Sequence, residues 1–292
     1  SLFRVPRPVG GGLEEMRVTA LGDYLACPYR FYLKHVLRLE TASDDAAELD
    51  ALGFGILAHA VLKRFGEDEA ERDRADAEAV RRFLERTLAD EVAARFGAAP
   101  PPAVAIQVEI LRERLRAFAT WQAAQATAGW RIHRVETDVA GDWPLAEGSI
   151  RLKGRIDRID VHRDGRCRIL DYKTGNEPVT PDKKHRRGRS GAKEWADFQL
   201  PLYRRLAESL SLPGPVALGY VVLPRDSDWV GELMAEWNDA ELDEAYAAAT
   251  GILERVRAGA FWPPAEPQED EFAAICLDEY IGRDRSIASG ES

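Results

Sequence analysis

The dipeptide Asp164-Gly165 divides two β-branched runs, 149–161 and 166–173. Gly after Asp supplies the turn chemistry of a tight hairpin, so the two runs are predicted to pair as antiparallel strands. Pairing symmetric about Asp164 sets Asp157 opposite Asp171, Ile159 opposite Ile169 and Val161 opposite Cys167 on one side of the sheet. Lys173, two residues past Asp171, projects from that side too. On the other side Asp160 faces Arg168, which reads as an ordinary cross-strand ion pair.

Two like charges directly across a ladder are destabilising, and Asp157 and Asp171 end an otherwise apolar face. A divalent cation between them would compensate, and hard oxygen ligands suit Mg2+ or Mn2+. The backbone carbonyl of Tyr172 could add another oxygen, and Lys173 could orient a water or stabilise charge developing on a phosphate. An Asp-x-Lys on a strand is by itself nearly always a solvated edge; the opposed Asp157 is what changes that reading.

Upstream, the pattern is helical. Thr19 reads as an N-cap, Pro28 as a helix start, and helices are expected over 52–65, 76–96 and 104–125, with a proline break at Pro100 to Pro102. After Gly129 the pattern changes to strands, including 132–139. A helix over 195–210, a buried strand over 216–223 and an amphipathic helix over 239–257 follow. The expected division is an irregular leader over 1–16, a helical part over 17–128, an α/β core over 129–260 and a tail over 261–292. Ser1 in place of Met suggests a piece of a longer protein.

The net charge of −10 argues at first against a polyanionic ligand, but its distribution matters more than its sum. Residues 181–193 carry about +5, leaving about −15 on the rest. Lys183, Lys184, Arg186, Arg187 and Arg189 could therefore contact the phosphates of a polyanion without reading sequence, or form a merely solvated charge run. No apolar run approaches the roughly 20 residues of a membrane helix, and Cys27, Cys167 and Cys276 form no disulfide framework. A cytoplasmic protein is expected. The absence of GxxxxGK[ST] excludes a P-loop motor within this sequence.

Gly154-Arg155-Ile156-Asp157-Arg158-Ile159-Asp160 followed by Leu170-Asp171-Tyr172-Lys173-Thr174-Gly175 resembles the metal-binding hairpin of the PD-(D/E)XK nucleases. The similarity is to the RecB-like nuclease domains of RecBCD- and AddAB-type helicase-nucleases. Three further segments match in order: the CPxxFxL-type helix at 27–34, the GxxxH-type helix at 53–59 and the QxxxY helix at 199–203. The resemblance implies a restriction-endonuclease-like α/β core, with a mixed central sheet flanked by helices and a large N-terminal helical part. It implies metal ligation by His59, Asp157, Asp171 and the Tyr172 carbonyl, with Lys173 as catalytic lysine. Gln199 and Tyr203 join the catalytic set, and their i,i+4 spacing lets them share a ligand such as a DNA strand. Glu136 matches a common acidic position. The implied activity is metal-dependent DNA hydrolysis, as an exonuclease domain working with a helicase or motor outside this sequence. A catalytically silent DNA-binding scaffold and a standalone structure-specific endonuclease remain as rivals.

The sequence departs from the family at its end. Many AddB-like relatives hold an iron-sulfur cluster through one cysteine in the CPxxF helix and three near the C-terminus. Cys27 and Cys276 match the first and last, but 261–275 contains no cysteine. Two thiolates cannot supply the four ligands, so no iron-sulfur cluster is expected. The aromatic residues Tyr29, Phe31, Tyr32, Phe261, Trp262 and Phe272 are expected to fill that space.

Overall fold

The computed structural model describes residues 13–39, 51–188, 193–225 and 229–262. Arg189, Phe272, Cys276 and the acidic stretch Asp44 to Asp50 lie outside the described residues.

Strand β1 (Glu15–Arg17) precedes helices α1 (Ala20–Ala26) and α2 (Pro28–Phe31), and a π-helical turn covers Tyr32–Val36. Pro28 opens α2 as expected, where its missing N–H costs nothing, but Thr19 occupies the N-cap of α1 without a side-chain bond. Three long helices follow: α3 (Ala51–Glu67), α4 (Ala77–Phe96) and α5 (Pro102–Ala128). The Asp76 carboxylate caps α4 by accepting from the N–H groups of Glu78 and Ala79, and Gly129 ends α5 in the left-handed conformation.

The strands are β2 (Trp130–Pro144), β3 (Ser149–His162) and β4 (Cys167–Lys173). After them come the five-residue α6 (Pro181–His185), a small ribbon of β5 (Arg186–Arg187) and β6 (Glu194–Trp195), and α7 (Gln199–Leu206). Strands β7 (Val216–Val222) and β8 (Gly231–Met234) and helix α8 (Asp239–Arg257) complete the described fold. Asn238 and Glu241 close a reciprocal capping box at the start of α8. Among the described residues, no helix is long and apolar enough to cross a membrane.

The sheet is mixed. Strand β2 runs antiparallel along one whole edge of β3, and the other edge is shared: β1 pairs in parallel with 151–153, and β4 pairs antiparallel with 158–161. The hairpin register is the expected one, with Ile159 opposite Ile169 and Val161 opposite Cys167. Between the two ladders, no strand among the described residues pairs with 154–157 on that edge, and this gap is where the site forms. Strand β7 joins β4 in parallel and β8 closes the sheet.

Each face of the sheet carries an apolar cluster. Ile150, Leu152, Ile156, Ile159, Ile169 and Leu218 pack with α1, α2, α7 and α8; Leu170, Tyr172, Val221 and Leu223 pack with α3, α4 and α5. Alternation along β3 breaks between Ile156 and Ile159, which lie in the same cluster although they differ in parity. Asp157 sits at that break.

One reading of the sequence is corrected and another is refined. Residues 15–17 are a strand of the main sheet, where 15 and 16 were expected in the leader and 17 in the helical part, because three residues with one buried side chain, Met16, suffice to pair with β3. The Asp160–Arg168 cross-strand ion pair forms as expected, but it is buried and shared: Asp160 is fully buried and binds both Arg158 and Arg168, which lie over Trp121, with Arg168 also 4.1 Å from the centroid of Trp130. The large helices behind the sheet bury this side of the hairpin, which the hairpin sequence alone does not show.

The end of the described chain returns to the first helices. Tyr24 donates to the Ala260 carbonyl at 2.6 Å, Phe261 stacks against Phe31 and Tyr32, and Trp262 meets Tyr29 edge-on. Cys27 is buried beside this aromatic cluster.

Candidate active site

In the register that pairs Val135 with Arg158 and Thr137 with Ile156, Glu136 stands opposite Asp157. Asp157 and Asp171 lie one step beyond the Arg158–Leu170 pair, and Asp171 pairs with Tyr220 on β7. The sheet thus presents Glu136, Asp157, Asp171 and Tyr220 as one row across four strands. Glu136 adopts φ 45°, the left-handed region. Outside glycine such a conformation costs on the order of 1–3 kcal/mol and persists where surrounding structure over-determines it, often at functional sites.

Where β3 and β4 part, the Asp157 carboxylate takes over the missing ladder bond: the Tyr172 N–H donates to its Oδ2 at 2.9 Å. That same oxygen lies 3.6 Å from His59 Nδ1. His59 comes from α3, which is seated against β2 at Gly66; a β-carbon there would sit 2.4 Å from the Val135 side chain. The close approach of helix and strand brings His59 over the carboxylates, its ring edge-on to Tyr172 at 5.7 Å.

One ligand atom each from His59, Glu136 and Asp157 lie within 4.8 Å of one another, so these three could hold a metal ion. Asp171 stands outside that trio but beside it, and its Oδ2 is buried without a hydrogen bond of good geometry. The Lys173 ammonium lies 2.7 Å from that oxygen, an ion contact that leaves lone pairs unused. A hard cation fits this donor set of three carboxylates and an imidazole.

Electrostatics agree with the geometry. Burial, then the neighbouring charge of Asp171, pushes the Asp157 carboxyl well above the usual carboxylate range, against the Tyr172 N–H. Burial also raises Glu136, with His59 opposing. For Lys173 burial works against the charge, but Asp171 and Asp157 outweigh it and the ammonium is held more firmly than usual.

Helix α7 supplies the remaining predicted residues. Gln199 donates from Nε2 to Asp171 Oδ1 at 2.7 Å and lies 3.3 Å from the Tyr203 hydroxyl. Tyr203 packs on the unpaired stretch of β3, where a β-carbon on residue 154 would fall 2.5 Å from its ring, so Gly154 is required. Burial pushes the Tyr203 hydroxyl up to about 12, so it stays protonated. Gln199 is thus turned onto a carboxylate and not free beside Tyr203.

The basic segment divides. Lys183, Lys184 and Arg187 are exposed, whereas Arg186 is tied to Glu241 at 2.6 Å and lies over Trp195. The sequence pattern did not single out His185, which is fully buried, or Asp197, which accepts the Gln199 N–H. A histidine inside a run of Lys and Arg carries no local signal of burial.

The profile of the PD-(D/E)XK nuclease superfamily matches residues 16–278. The sequence is 30% identical over 189 residues to an ATP-dependent helicase/deoxyribonuclease component of Desulforudis audaxviator, covering 56% of this chain and 16% of that protein. It is 25% identical over 185 residues to the protein of the same name from Clostridium acetobutylicum, covering 57% and 16%. In fold it is similar to a crystal structure of a candidate exonuclease from Eubacterium rectale, with a TM-score of 0.54 at 12% identity, covering 89% of this chain and 87% of that one. The chain therefore spans about a sixth of the length of the curated relatives it matches.

Proposed function

This chain belongs to the PD-(D/E)XK nuclease superfamily, and on that basis we propose that it hydrolyses DNA phosphodiesters with a divalent metal, as an exonuclease working with a helicase. The observation that carries the reading is Asp171 Oδ2, buried and met only by the Lys173 ammonium among the described residues, beside the largely buried carboxylate of Asp157. Buried carboxylates so placed are costly unless something positive shares them.

His59, Asp157 and Asp171 are assigned as ligands with the Tyr172 carbonyl, and Glu136 is added because its carboxylate closes the cluster. Bound Mg2+ or Mn2+ would lower the pKa of a water and offset phosphate charge. The chain's own residues do the rest. Lys173 keeps its proton beside Asp171 and stabilises charge on the phosphate in the transition state. Gln199 aims the Asp171 carboxylate, and Tyr203 holds α7 against Gly154. Lys183, Lys184 and Arg187 are assigned to backbone phosphates. The helicase partner and the exonuclease mode rest on the names of the similar proteins and on the small share of the curated relatives' length matched here; a cytoplasmic location is part of the same reading.

The test is digestion of end-labelled linear and closed circular DNA with Mg2+, Mn2+ or a chelator. Metal-dependent loss of the linear form alone is expected. Asp171→Ala and Lys173→Ala should each lower cleavage by at least about 10²-fold with DNA affinity nearly unchanged, since both act in the transition state. Cleavage of circles would favour an endonuclease, and no cleavage with any metal would favour a silent scaffold.

A further inference from the structure

His185 is fully buried directly after two exposed lysines, and nothing in the reaction proposed above uses it. Its two ring nitrogens have different partners. Nδ1 lies 2.8 Å from the Asp197 carbonyl, and Nε2 lies 2.7 Å from the Tyr220 hydroxyl. A carbonyl can only accept, so Nδ1 carries the hydrogen. Burial lowers the His185 pKa, against Asp197, and the ring is neutral at pH 7. Nε2 must then accept, and Tyr220 must donate.

Tyr220 stands beside Asp171 in the β4–β7 register, and the Lys173 ammonium lies 4.9 Å from the centroid of its ring. Donation from the hydroxyl enriches the ring in electron density, which strengthens its attraction for a cation. Lys173 therefore has two holds: the Asp171 carboxylate at 2.7 Å and the Tyr220 face. The first is a charge that DNA and metal also contest; the second is fixed from behind. His185 itself is clamped, its ring edge-on to Trp237 at 5.1 Å and its carbonyl accepting the Ala196 N–H at 2.7 Å.

We propose that His185 and Tyr220 form a buried strut that positions Lys173, Tyr220 touching the lysine and His185 acting through Tyr220. The strut also joins α6, which displays Lys183 and Lys184, to the reacting end of β4. The proposal rests on Lys173 being the catalytic lysine, and its test has a readout that does not depend on cleavage.

Tyr220→Phe keeps the ring and removes only the donor; His185→Gln keeps a side-chain acceptor, and His185→Leu removes it. On linear DNA with Mg2+, Tyr220→Phe and His185→Leu should lower kcat about tenfold at unchanged KM, with His185→Gln in between, and Tyr220→Phe, which takes the donor from the buried His185 Nε2, should melt somewhat below wild type yet remain folded at the assay temperature. The Tyr220→Phe/His185→Leu double variant should be no worse than the weaker single, because both remove one hydrogen bond. In metal-free protein, acetylation of Lys173 by acetic anhydride, read by mass spectrometry, should speed up about two- to fivefold in Tyr220→Phe. Wild-type kcat together with wild-type Lys173 reactivity in Tyr220→Phe would overturn the strut, as would additive loss in the double variant. If the unaltered chain cleaves no DNA, the nuclease reading fails, and the Lys173 reactivities still decide the strut.

Discussion

Gln199 Nε2 hydrogen-bonds Asp171 Oδ1 at 2.7 Å across 28 residues of sequence. The amide satisfies one carboxylate oxygen and leaves Oδ2 facing Lys173. Gln199→Ala should therefore lower kcat about 10- to 100-fold, the scale of an outer-shell partner, and weaken metal binding by a similar factor. Gln199→Glu should be worse than Gln199→Ala, because it sets a carboxylate against a carboxylate. Titration calorimetry with Mn2+ beside the cleavage assay checks both; equal values for the two variants would show that orientation of Asp171 does not matter.

The raised Asp157 carboxyl makes the metal-free protein pH-sensitive in a defined direction. At low pH both folded and unfolded chains hold the proton and the group is neutral in the balance. As pH rises through the ordinary carboxylate range the unfolded chain releases its proton while the folded chain keeps it, so stability falls until the raised folded value is passed. Asp157→Asn should remove that loss: without metal its melting temperature should exceed wild type by a margin that grows with pH. Added Mn2+ should stabilise wild type and leave the variant nearly unmoved. Melting curves across pH 4 to 8 (roughly the span between the carboxylate and histidine ranges), with and without a chelator, measure this.

The exposed part of the basic segment should act as a salt-dependent handle. Replacing Lys183, Lys184 and Arg187 with Ala should weaken binding to all sequences alike and reduce the slope of log K against log salt by about 0.7 to 0.9 per lost phosphate contact. Arg186→Ala should leave the slope alone and lower stability, since its guanidinium serves Glu241 and Trp195. Fluorescence anisotropy at several salt concentrations separates the two outcomes.

Behind the hairpin, Asp160 is the shared acceptor of two arginines whose side chains are 1% exposed. Asp160→Ala leaves Arg158 without its carboxylate and Arg168 with Glu232 alone, and should cost about 3–5 kcal/mol, the range for breaking a buried pair from one side. Replacing Asp160, Arg158 and Arg168 together with apolar residues should cost far less than the single change. Urea unfolding of both variants tests the asymmetry, and a single variant within about 1 kcal/mol of wild type would show that the arginines are satisfied elsewhere.

The local pieces and the hairpin register were legible in the order of residues. Helix α8 occupies the expected 239–257, and Ile159 meets Ile169 as symmetry about Asp164 requires, because a turn and a period of two are set by neighbours along the chain. The four family motifs were legible for the same reason. What meets between distant segments came instead from packing. Glu136 joins His59 and Asp157 through a register shift in β2 between Ile132 and Arg134 and a strained φ, neither of which periodicity encodes. Asp160 became a buried hub because α5 brings Trp121 over that side of the hairpin, and His185 became a core residue because Tyr220 on β7 offers it a donor. Charge and polarity along the chain state what a side chain needs; only the packing of separate elements states which partner supplies it.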